Sequence, residues 1–248
     1  MLLINYNMEN TVELLGYYGS DEIIACSAWT STSRNLTQEK KERIPKLLKM
    51  LASEGHHTPF EKGIVHFLVN TDIASHIHLL KHRISSLNAE SARYKELKED
   101  KYYLPEDWKN IKTTGKLNPF SDYSIDFSDA RIEEDFSARL SWYEILNWYS
   151  KLGNYLYHQS LKDLEPVLGR KRAKESARFF KTYNSQIQAD VMFNWRSFIN
   201  FLNLRHSLDK DGEPEAQIEI YHIADEMLKL IKEIPEQPFK FTIEAFGL

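Results

Sequence analysis

Six of the nine histidines lie between positions 56 and 82, so imidazole chemistry is concentrated in one short part of the chain. They are His56, His57, His66, His76, His78 and His82. A metal site is one interpretation, because His78 and His82 are four residues apart on a predicted helix and both rings could face one ion. The metalloprotease pattern also needs a Glu between them, which is absent here. We therefore predict no metal and expect hydrogen-bonded or surface histidines, with the metal site as the alternative.

Polar groups are densest in the segment from Lys81 to Tyr94, which reads KHRISSLNAESARY. It combines cationic side chains with serines, an amide and a carboxylate. Arginine supplies forked donors to phosphate oxygens, and serine hydroxyls and backbone N–H groups can complete a cradle. The segment therefore indicates a site for a phosphorylated ligand, and a charge-rich surface turn is the alternative.

The order of residues in this segment resembles the signature of the flavin-dependent thymidylate synthases, the ThyX family. That signature reads Arg-His-Arg, seven residues, then Ser, usually within R-H-R-x-x-S-x-N-x-x-S-x-R-Y. Lys81, His82 and Arg83, followed after seven residues by Ser91, match it with only the first Arg changed. The other matching positions are Ser86, Asn88, Arg93 and Tyr94.

Three further segments agree with the same family in order and spacing. Residues 55–61, GHHTPFE, resemble its G-H-x-[ST]-P-x-E segment. Residues 194–205, NWRSFINFLNLR, resemble its N-x-R-S-L-x-N-F-L-x-L-R helix, and residues 216–220, AQIEI, resemble the start of its final helix. Arg178 sits where the family keeps a substrate arginine. Four segments in register across residues 55–220 indicate membership.

The resemblance implies FAD, bound without a Rossmann fold, and no G-x-G-x-x-G follows a predicted strand in this chain. By resemblance, the FAD contacts are Thr58, Lys81, His82, Arg83, Ile84, Asn194, Arg196, Asn200 and Leu204. Arg196, Asn200 and Leu204 recur every four residues and therefore share one helix face. That mixture of charged, amide and apolar groups suits a ligand with phosphates and a flat ring, while a solvated helix face is the alternative.

The nucleotide of the family is dUMP, which needs cations for its phosphate and donors for its uracil carbonyls. The resemblance assigns to it His78, Lys81, Glu90, Ser91, Arg93, Arg178 and Arg205. By the same resemblance, Arg205 is the catalytic residue: a cation beside O2 and N3 would stabilise charge in the ring and make C5 more nucleophilic. Alternatively, Arg205 could face the carbonyls that end its helix, and Arg178 could be a plain surface residue.

The resemblance also implies NADPH and methylene-tetrahydrofolate as co-substrates and a homotetramer whose active sites are shared between subunits. His56 corresponds to a histidine on the folate and nicotinamide side of the flavin, and His57 is expected to be a bystander. Cys26 is the single cysteine, and no basic residue adjoins it in the sequence. It is predicted to be a small buried apolar residue, and the flavin route needs no thiol.

Four positions depart from the family pattern. Lys81 replaces the first Arg of the signature and offers a point charge in place of a bidentate fork. His78 stands where the family often has Gln, Ala89 where many members carry Glu, and Trp195 is bulkier than the usual residue. We expect these changes to cluster at the pyrimidine–flavin interface. There they could tune affinity, select another acceptor such as UMP, or mark a homologue that has lost activity.

A protein of another class is the remaining alternative: a helical nucleic-acid-binding module that uses residues 169–172, GRKR, together with Lys81 to Arg93. The overall charge opposes it, because 32 Lys and Arg face 36 Asp and Glu for a net charge of −4. We therefore predict no nucleic-acid partner. No run approaches 18 apolar residues, and Met1 to Asn10 lacks the pattern of a secretory signal. We accordingly predict no membrane partner and a cytoplasmic location.

The elements that must position these residues are predicted to be long, because the chain has only 9 Gly and 8 Pro. The fold class expected is α+β: a single domain over residues 1–248, with long helices packed on an antiparallel sheet. Alternation predicts strands over Thr11 to Tyr18 and Ile64 to Val69. Residues 98–130 carry Pro, Gly, Ser and Asp and are predicted to form an irregular surface excursion.

Helix boundaries follow from capping residues and apolar spacing. Thr37 should cap a helix that ends before Gly55, with Pro45 kinking or restarting it. Residues 70–72 should cap a helix that has Ile73, Ile77 and Leu80 on one face. The other predicted helices are residues 136–161, a short one through Ala177 to Phe180, one with Phe198, Phe201, Leu202 and Arg205 on a face, and a last one. Pro214 should lie in its first turn, Pro235 should end it, and its buried stripe should be Ile220, Ile223, Ala224, Met227 and Ile231.

Overall fold

The structure is a computed structural model that describes residues 9–91, 93–97, 99–114 and 140–248. Within these residues, eight α-helices accompany a four-stranded sheet, which confirms the predicted α+β class. The α-helices are α1 Asp21–Ala28, α2 Gln38–Ser53, α3 Ile73–Leu80, α4 Trp142–Leu168, α5 Arg170–Ala177, α6 Trp195–Arg205, α7 Ile218–Lys232 and α8 Lys240–Ala245. Short 3₁₀ helices are Trp29–Ser31, Thr58–Lys62, Glu106–Asn110 and Arg178–Phe180.

The described residues form two compact units, each built from separated stretches of chain. The sheet unit comprises Asn10–Asn70, Ser75–Ala89 and Gln188–Leu248. The long-helix unit comprises Thr71–Ala74 and the described part of Glu90–Ile187. The prediction of one domain over residues 1–248 stays a prediction.

The sheet has the strand order β1-β2-β4-β3. Its strands are β1 Thr11–Tyr18, β2 Ile64–Asp72, β3 Ser86–Ala89 and β4 Gln186–Asn194. The β1–β2 and β3–β4 pairs are antiparallel. The register of the β1–β2 pair shifts between Leu14 and Gly16 of β1. Alternate residues of β2 are fully buried because side chains in a strand point to opposite faces; they are Val65, Phe67 and Val69. These residues join β4 and helices α1, α2, α6, α7 and α8 in one core.

Several sequence signals specify the helices as predicted. The Thr37 hydroxyl accepts the Lys40 N–H at the start of α2, and Gly55 follows its C-cap with a φ of +71°. Pro45 lies inside α2, so the predicted restart there is wrong. The predicted stripe of α7 is buried throughout: Ile220, Ile223, Ala224, Met227 and Ile231.

Two local predictions about helices are wrong. Helix α3 buries Ser75, His76 and Leu79, whereas Leu80 is exposed, so the face with Ile73, Ile77 and Leu80 is not the buried one. The amphipathic pattern is ambiguous over a helix of only eight residues. Helix α7 begins at Ile218, because Pro214 pairs with Leu208 across a turn in which Asp209 accepts two backbone N–H groups.

The predicted surface excursion over residues 98–130 is partly wrong where the structure describes it. Tyr102 and Leu104 are buried, and Tyr102 bridges Ser185 within the long-helix unit. Aromatic burial therefore overrides the local turn composition. The rest of this segment, beyond residue 114, lies outside the described residues. Helix α4 begins at Trp142 after a capping box of Ser141 and Glu144, and it continues to Leu168, past the predicted end at residue 161.

Two helices that the sequence reading missed, α1 and α8, are joined by one buried carboxylate. Asp21 accepts hydrogen bonds from the N–H groups of Phe241 and Thr242, at 2.7 and 2.9 Å, and from the Thr242 hydroxyl at 2.6 Å. Burial raises the pKa of Asp21, and these hydrogen bonds oppose that rise. A residue at the start of α1 thus satisfies the open N–H groups at the start of α8.

Replacing Asp21 with Ala should lower the free energy of unfolding by about 2 kcal/mol, because α8 loses its capping acceptors. Glu22→Ala is the matched control. Glu22 is exposed and pairs with Lys41 at 3.1 Å, so we expect a change within about 0.5 kcal/mol. Urea unfolding measures both, and equal losses in the two variants would contradict the capping role.

The start of α6 is packed against a glycine. A Cβ on Gly63 would lie 2.5 Å from Cδ1 of Trp195 and 3.1 Å from Cε1 of Phe239. The backbone N–H of Trp195 also donates to the Gly63 carbonyl at 3.0 Å. Trp195 is fully buried and contacts Phe198 and Phe239 through ring edges and faces. The close approach of this indole therefore requires glycine at position 63.

Gly63→Ala should cost about 1–3 kcal/mol of unfolding free energy, because the new methyl group overpacks the indole. Gly16→Ala is the control, since nothing lies within 4 Å of a Cβ there and no positive φ is imposed. That control should stay within about 0.5 kcal/mol of the parent. Combining Gly63→Ala with Trp195→Phe should recover part of the loss, and a double variant with no recovery would argue against the overpacking.

No helix in the described ranges combines the length and the apolar character that crossing a membrane requires.

Candidate functional site

The predicted site residues are divided between the two units. In the sheet unit lie His56, Thr58, His78, Lys81, His82, Arg83, Ile84, Asn194, Arg196, Asn200, Leu204 and Arg205. In the long-helix unit lie Glu90, Ser91, Arg93 and Arg178.

Helix α6 separates a buried face from an exposed face. Trp195, Phe198, Phe201 and Leu202 are buried in the core. The residues predicted to share a ligand face, Arg196, Asn200 and Leu204, are all exposed on the opposite side, and Leu204 is 53% exposed. An exposed Leu beside a guanidinium and an amide offers an apolar contact within hydrogen-bonding groups. This part of the sequence prediction, the shared face, is confirmed by the helix.

The start of the ligand face is fixed by two contacts. The Asn194 side chain accepts the Ser197 N–H at 2.9 Å and so caps α6. The Arg196 guanidinium pairs with Glu61 at 2.7 Å, and both side chains are partly exposed. Sequence reasoning assigned no role to Glu61, although it belongs to the matched GHHTPFE segment. The Glu61 carboxylate holds the Arg196 guanidinium, and the side-chain oxygen of Asn194 accepts the Ser197 N–H.

The end of α6 carries the predicted catalytic arginine in contact with a buried histidine. Arg205 Nε donates to His82 Nε2 at 3.3 Å, and the His82 ring packs edge-on against Phe201 with centroids 4.9 Å apart. His82 is 8% exposed. Burial first, then the Arg205 cation and then His78 lower the pKa of His82 to about 4. His82 is therefore neutral at pH 7.

Arg205 does not turn back to its helix carbonyls, the alternative that the sequence left open. Its Nε is engaged by His82. Within the part of the chain that the structure describes, no hydrogen bond or ion pair engages its two terminal amino groups. A charged fork with both terminal groups available is the form of arginine that recognises a planar oxygen-bearing ligand.

His78 is held by a short polar relay. Gln217 Nε2 donates to the buried Glu219 carboxylate at 2.8 Å, which leaves Gln217 Oε1 to face His78 Nε2 at 3.1 Å. Because a carboxylate only accepts, the amide oxygen must be the atom that faces His78, and His78 Nε2 must donate. Both Gln217 and Glu219 belong to the matched AQIEI segment, to which sequence reasoning gave no role.

The other cofactor candidates of the sheet unit lie at its surface. Lys81, Arg83 and Ile84 are exposed, with Ile84 at 73%, whereas His82 between them is buried. His56 and Thr58 are also exposed, beside the 3₁₀ helix Thr58–Lys62. His57 packs against Phe60 and Phe246 through ring edges. The sequence pattern does not indicate that the middle ring of this basic triplet is buried while its two neighbours are exposed.

In the long-helix unit, the predicted nucleotide residues Arg93 and Glu90 are each held in an ion pair. Arg93 Nε lies 2.7 Å from Glu175 of α5, and the Ser91 hydroxyl accepts the Arg93 N–H at 3.3 Å. Glu90 pairs with Lys95 at 2.6 Å. Arg178 begins the 3₁₀ helix that follows α5. Glu175 is a residue that sequence reasoning missed, because nothing in its local pattern marks it.

Two expectations about this region are wrong. Trp195 was expected at the pyrimidine–flavin interface. It is instead fully buried on the core side of α6, where Gly63 leaves room for its indole. His78 and His82 were expected on one helix, but α3 ends at Leu80, so only His78 is helical. Across residues 9–91, 93–97, 99–114 and 140–248, no three His, Cys, Asp or Glu side chains are placed to hold a metal ion.

The basic run at residues 169–172 is largely neutralised by neighbouring carboxylates. Arg170 lies 3.2 Å from Glu96 and 3.6 Å from Glu165, and Arg172 lies 3.7 Å from Glu175. Paired surface cations have less to gain from a phosphate backbone than unpaired ones. The nucleic-acid alternative is therefore not favoured by this surface.

The fold and the site define an α+β protein in which one amphipathic helix presents arginines and amides beside an exposed apolar residue. A family model described as "Thymidylate synthase complementing protein" matches residues 13–236. The chain therefore belongs to that family, the flavin-dependent thymidylate synthases, whose members are methyltransferase enzymes. The predicted family and enzyme class are confirmed, and the roles of individual site residues stay predictions.

Individual relatives cover nearly the whole chain. A flavin-dependent thymidylate synthase from Kosmotoga olearia is 30% identical over 235 residues, which is 95% of this chain and 89% of the relative. One from Rickettsia bellii is also 30% identical, over 95% of this chain and 74% of the relative.

Solved structures agree with the fold. A UMP/dUMP methylase, PolB from Streptomyces cacaoi, bound with 5-Br dUMP, matches with a TM-score of 0.67 at 24% identity, covering 97% of this chain and 95% of that one. The same protein with 5-Br UMP gives a TM-score of 0.68 at 23% identity over 97% and 96%.

Protonation of His82 should link stability to pH. Its pKa is lowered to about 4 in the folded chain, so the folded state binds fewer protons than the unfolded state from about pH 4 to pH 6.5. The free energy of unfolding should therefore fall as the pH drops through that window, by at most about 1.4 kcal/mol per pH unit.

Urea unfolding at pH 7, 6 and 5 measures this dependence, with His82→Gln as the matched variant. The variant keeps every other titrating group, so the difference between the two slopes isolates His82. We expect a shallower pH dependence in His82→Gln, and identical slopes would show that His82 does not titrate below its usual range.

Proposed function

We propose that the protein methylates dUMP to dTMP, with FAD as cofactor, methylene-tetrahydrofolate as carbon donor and NADPH as reductant. Family membership supports a flavin-dependent methyltransferase. The single observation that carries the residue assignments is the arrangement on α6: an exposed Arg196, Asn200 and Leu204 face that ends in Arg205 held by His82.

The residues present fit an FAD molecule without a glycine-rich loop. FAD is polar at its diphosphate and flat and apolar at its ring system, and it needs both kinds of partner. The sheet unit offers exposed cations at Lys81, Arg83 and Arg196, and exposed apolar side chains at Ile84 and Leu204. Thr58, His82, Asn194 and Asn200 complete the predicted FAD set. When bound, FAD supplies the reducing equivalents of the reaction.

The nucleotide assignments follow the family resemblance, and the geometry of Arg205 supports its part in them. In our proposal, the terminal amino groups of Arg205 contact the pyrimidine, where a cation beside the carbonyl oxygen stabilises charge spreading into the ring and makes C5 more nucleophilic. The other residues that the resemblance assigns to the nucleotide are His78, Lys81, Glu90, Ser91, Arg93 and Arg178. The exposed side chain of Lys81 supports a role in binding the nucleotide.

The remaining assignments rest on the family. We place His56 on the folate and nicotinamide side of the flavin, and its exposure leaves the ring accessible to a second ligand. We further propose a cytoplasmic homotetramer with active sites shared between subunits. Size-exclusion chromatography with light scattering measures the oligomeric state independently of activity.

Absorbance of the purified protein tests the proposal directly. We expect a flavin spectrum that bleaches on addition of NADPH, and release of dTMP when dUMP and methylene-tetrahydrofolate are supplied. UMP should be assayed beside dUMP, because PolB is described as a UMP/dUMP methylase and discrimination at a 2′-hydroxyl is a property of the pocket. No flavin absorbance and no turnover after adding FAD would refute the proposal, and preferential turnover of UMP would change the acceptor.

Arg205→Gln should lower kcat by about 100- to 1000-fold, because the uncharged amide cannot stabilise charge on the pyrimidine. Flavin absorbance should be retained, since the flavin is assigned to other residues. Arg43→Gln is the control, because Arg43 is exposed on α2 and should leave turnover unchanged. If Arg205→Gln kept near-parental turnover, the catalytic assignment of Arg205 would be wrong.

A further inference from the structure

The contact between His82 and Arg205 joins a buried ring to the end of a helix. The His82 ring makes a T-shaped contact with the Phe201 ring. The backbone carbonyl of His82 accepts the Ser85 hydroxyl at 2.6 Å. Its Nε2 accepts from Arg205 Nε at 3.3 Å. The Phe201 contact restrains the ring and the Ser85 bond restrains the backbone of His82, so the longer arginine side chain is the more flexible partner of the pair.

We propose that His82 is a positioning residue for Arg205, whose Nε–H it accepts so that the two terminal amino groups are offered to the ligand in one fixed direction. This role rests on the proposed function of Arg205. It is additional to the flavin contact that the resemblance gives to His82. The family signature places the His in the triplet but does not connect it to the distant arginine 123 residues later.

A second anchor matters because Arg205 is the last residue of α6. The backbone beyond it is tied to α7 through His206, which lies 2.9 Å from Asp225 and stacks on Tyr221. These contacts fix the Cα of Arg205 but leave the long side chain free. An arginine side chain loses rotamer entropy when it is ordered, so ordering it before the ligand arrives favours binding in the reactive orientation.

The acceptor role requires a neutral ring. If Nε2 accepts, the proton of neutral His82 lies on Nδ1. Protonating the ring would put an N–H on Nε2 as well, where it would face the Arg205 Nε–H, and would place two cations side by side. The charged and titratable groups that face His82 are Arg205 from α6 and His78 from α3. Both oppose its protonation, in the same direction as burial. Turnover should therefore fall on the acid side as His82 takes up a proton.

Histidine NMR tests the contact without reference to turnover. In protein labelled at the imidazole ring, with His82→Gln identifying the signal, we expect an unprotonated Nε2 at pH 7 and a titration midpoint well below 6.5. In Arg205→Gln the midpoint should rise, because the cation is gone while burial remains. A protonated Nε2 at pH 7 would overturn the proposal even if the wild-type protein makes dTMP. A titration midpoint that is unchanged in Arg205→Gln would do the same.

Turnover then separates positioning from flavin binding. His82→Phe keeps a ring but removes the acceptor, so kcat should fall roughly 10- to 100-fold. His82→Gln keeps an acceptor that cannot be protonated, so it should restore most of kcat and lose the acid limb of the pH profile. The dissociation constant of FAD, measured by flavin fluorescence, reports any effect on the cofactor separately.

The double variant decides the mechanism. If His82 acts through Arg205, His82→Phe should add no further loss to Arg205→Gln. Multiplicative losses in the double variant, or a His82→Phe defect confined to the FAD dissociation constant, would show that His82 acts elsewhere. A wild-type protein with no dTMP activity refutes the proposed function, and the NMR result then still accepts or rejects the contact.

Discussion

Burial of one face of α6 is the constraint on which the candidate site of the sheet unit depends. Trp195, Phe198 and Phe201 pack into the core with no exposed surface. Because a helix repeats every 3.6 residues, Arg196, Asn200 and Leu204 must then face outward. The glycine opposite the indole allows this depth of burial, since a Cβ at Gly63 would collide with the ring. Core packing and ligand presentation are consequently two sides of one helix.

A chain with a net negative charge can still concentrate cations at one place. In the sheet unit, burial and hydrogen bonding decide which side chains stay charged and which become neutral acceptors. His82 is neutral beside a charged Arg205, and Glu219 orients Gln217 so that its oxygen faces His78. The carboxylates Glu61 and Glu175 hold arginines at fixed positions. Such arrangements order long side chains whose freedom would otherwise weaken binding.

The sequence predicted much of the fold because the signals were local. Alternation in β1 and β2, the Thr37 cap, the glycine after α2 and the apolar stripe of α7 all act within one or two turns. Predictions failed where distant residues compete with the local pattern. Helix α8 begins where Asp21 caps it from a position 221 residues away, and Pro214 serves a turn closed by Asp209. Short helices such as α1 and α3 carry too few positions to define a face.

By itself, the sequence determined the family, the α+β class and the set of residue types at the candidate site, because ordered motifs keep their spacing along the chain. Tertiary structure decided which of those residues touch. Only folding brings the ring at position 82 against the guanidinium at position 205, pairs Arg196 with Glu61, and buries Trp195 away from the ligand face. These outcomes depend on burial and on contacts between residues more than 100 positions apart, for which a linear pattern contains no local signal.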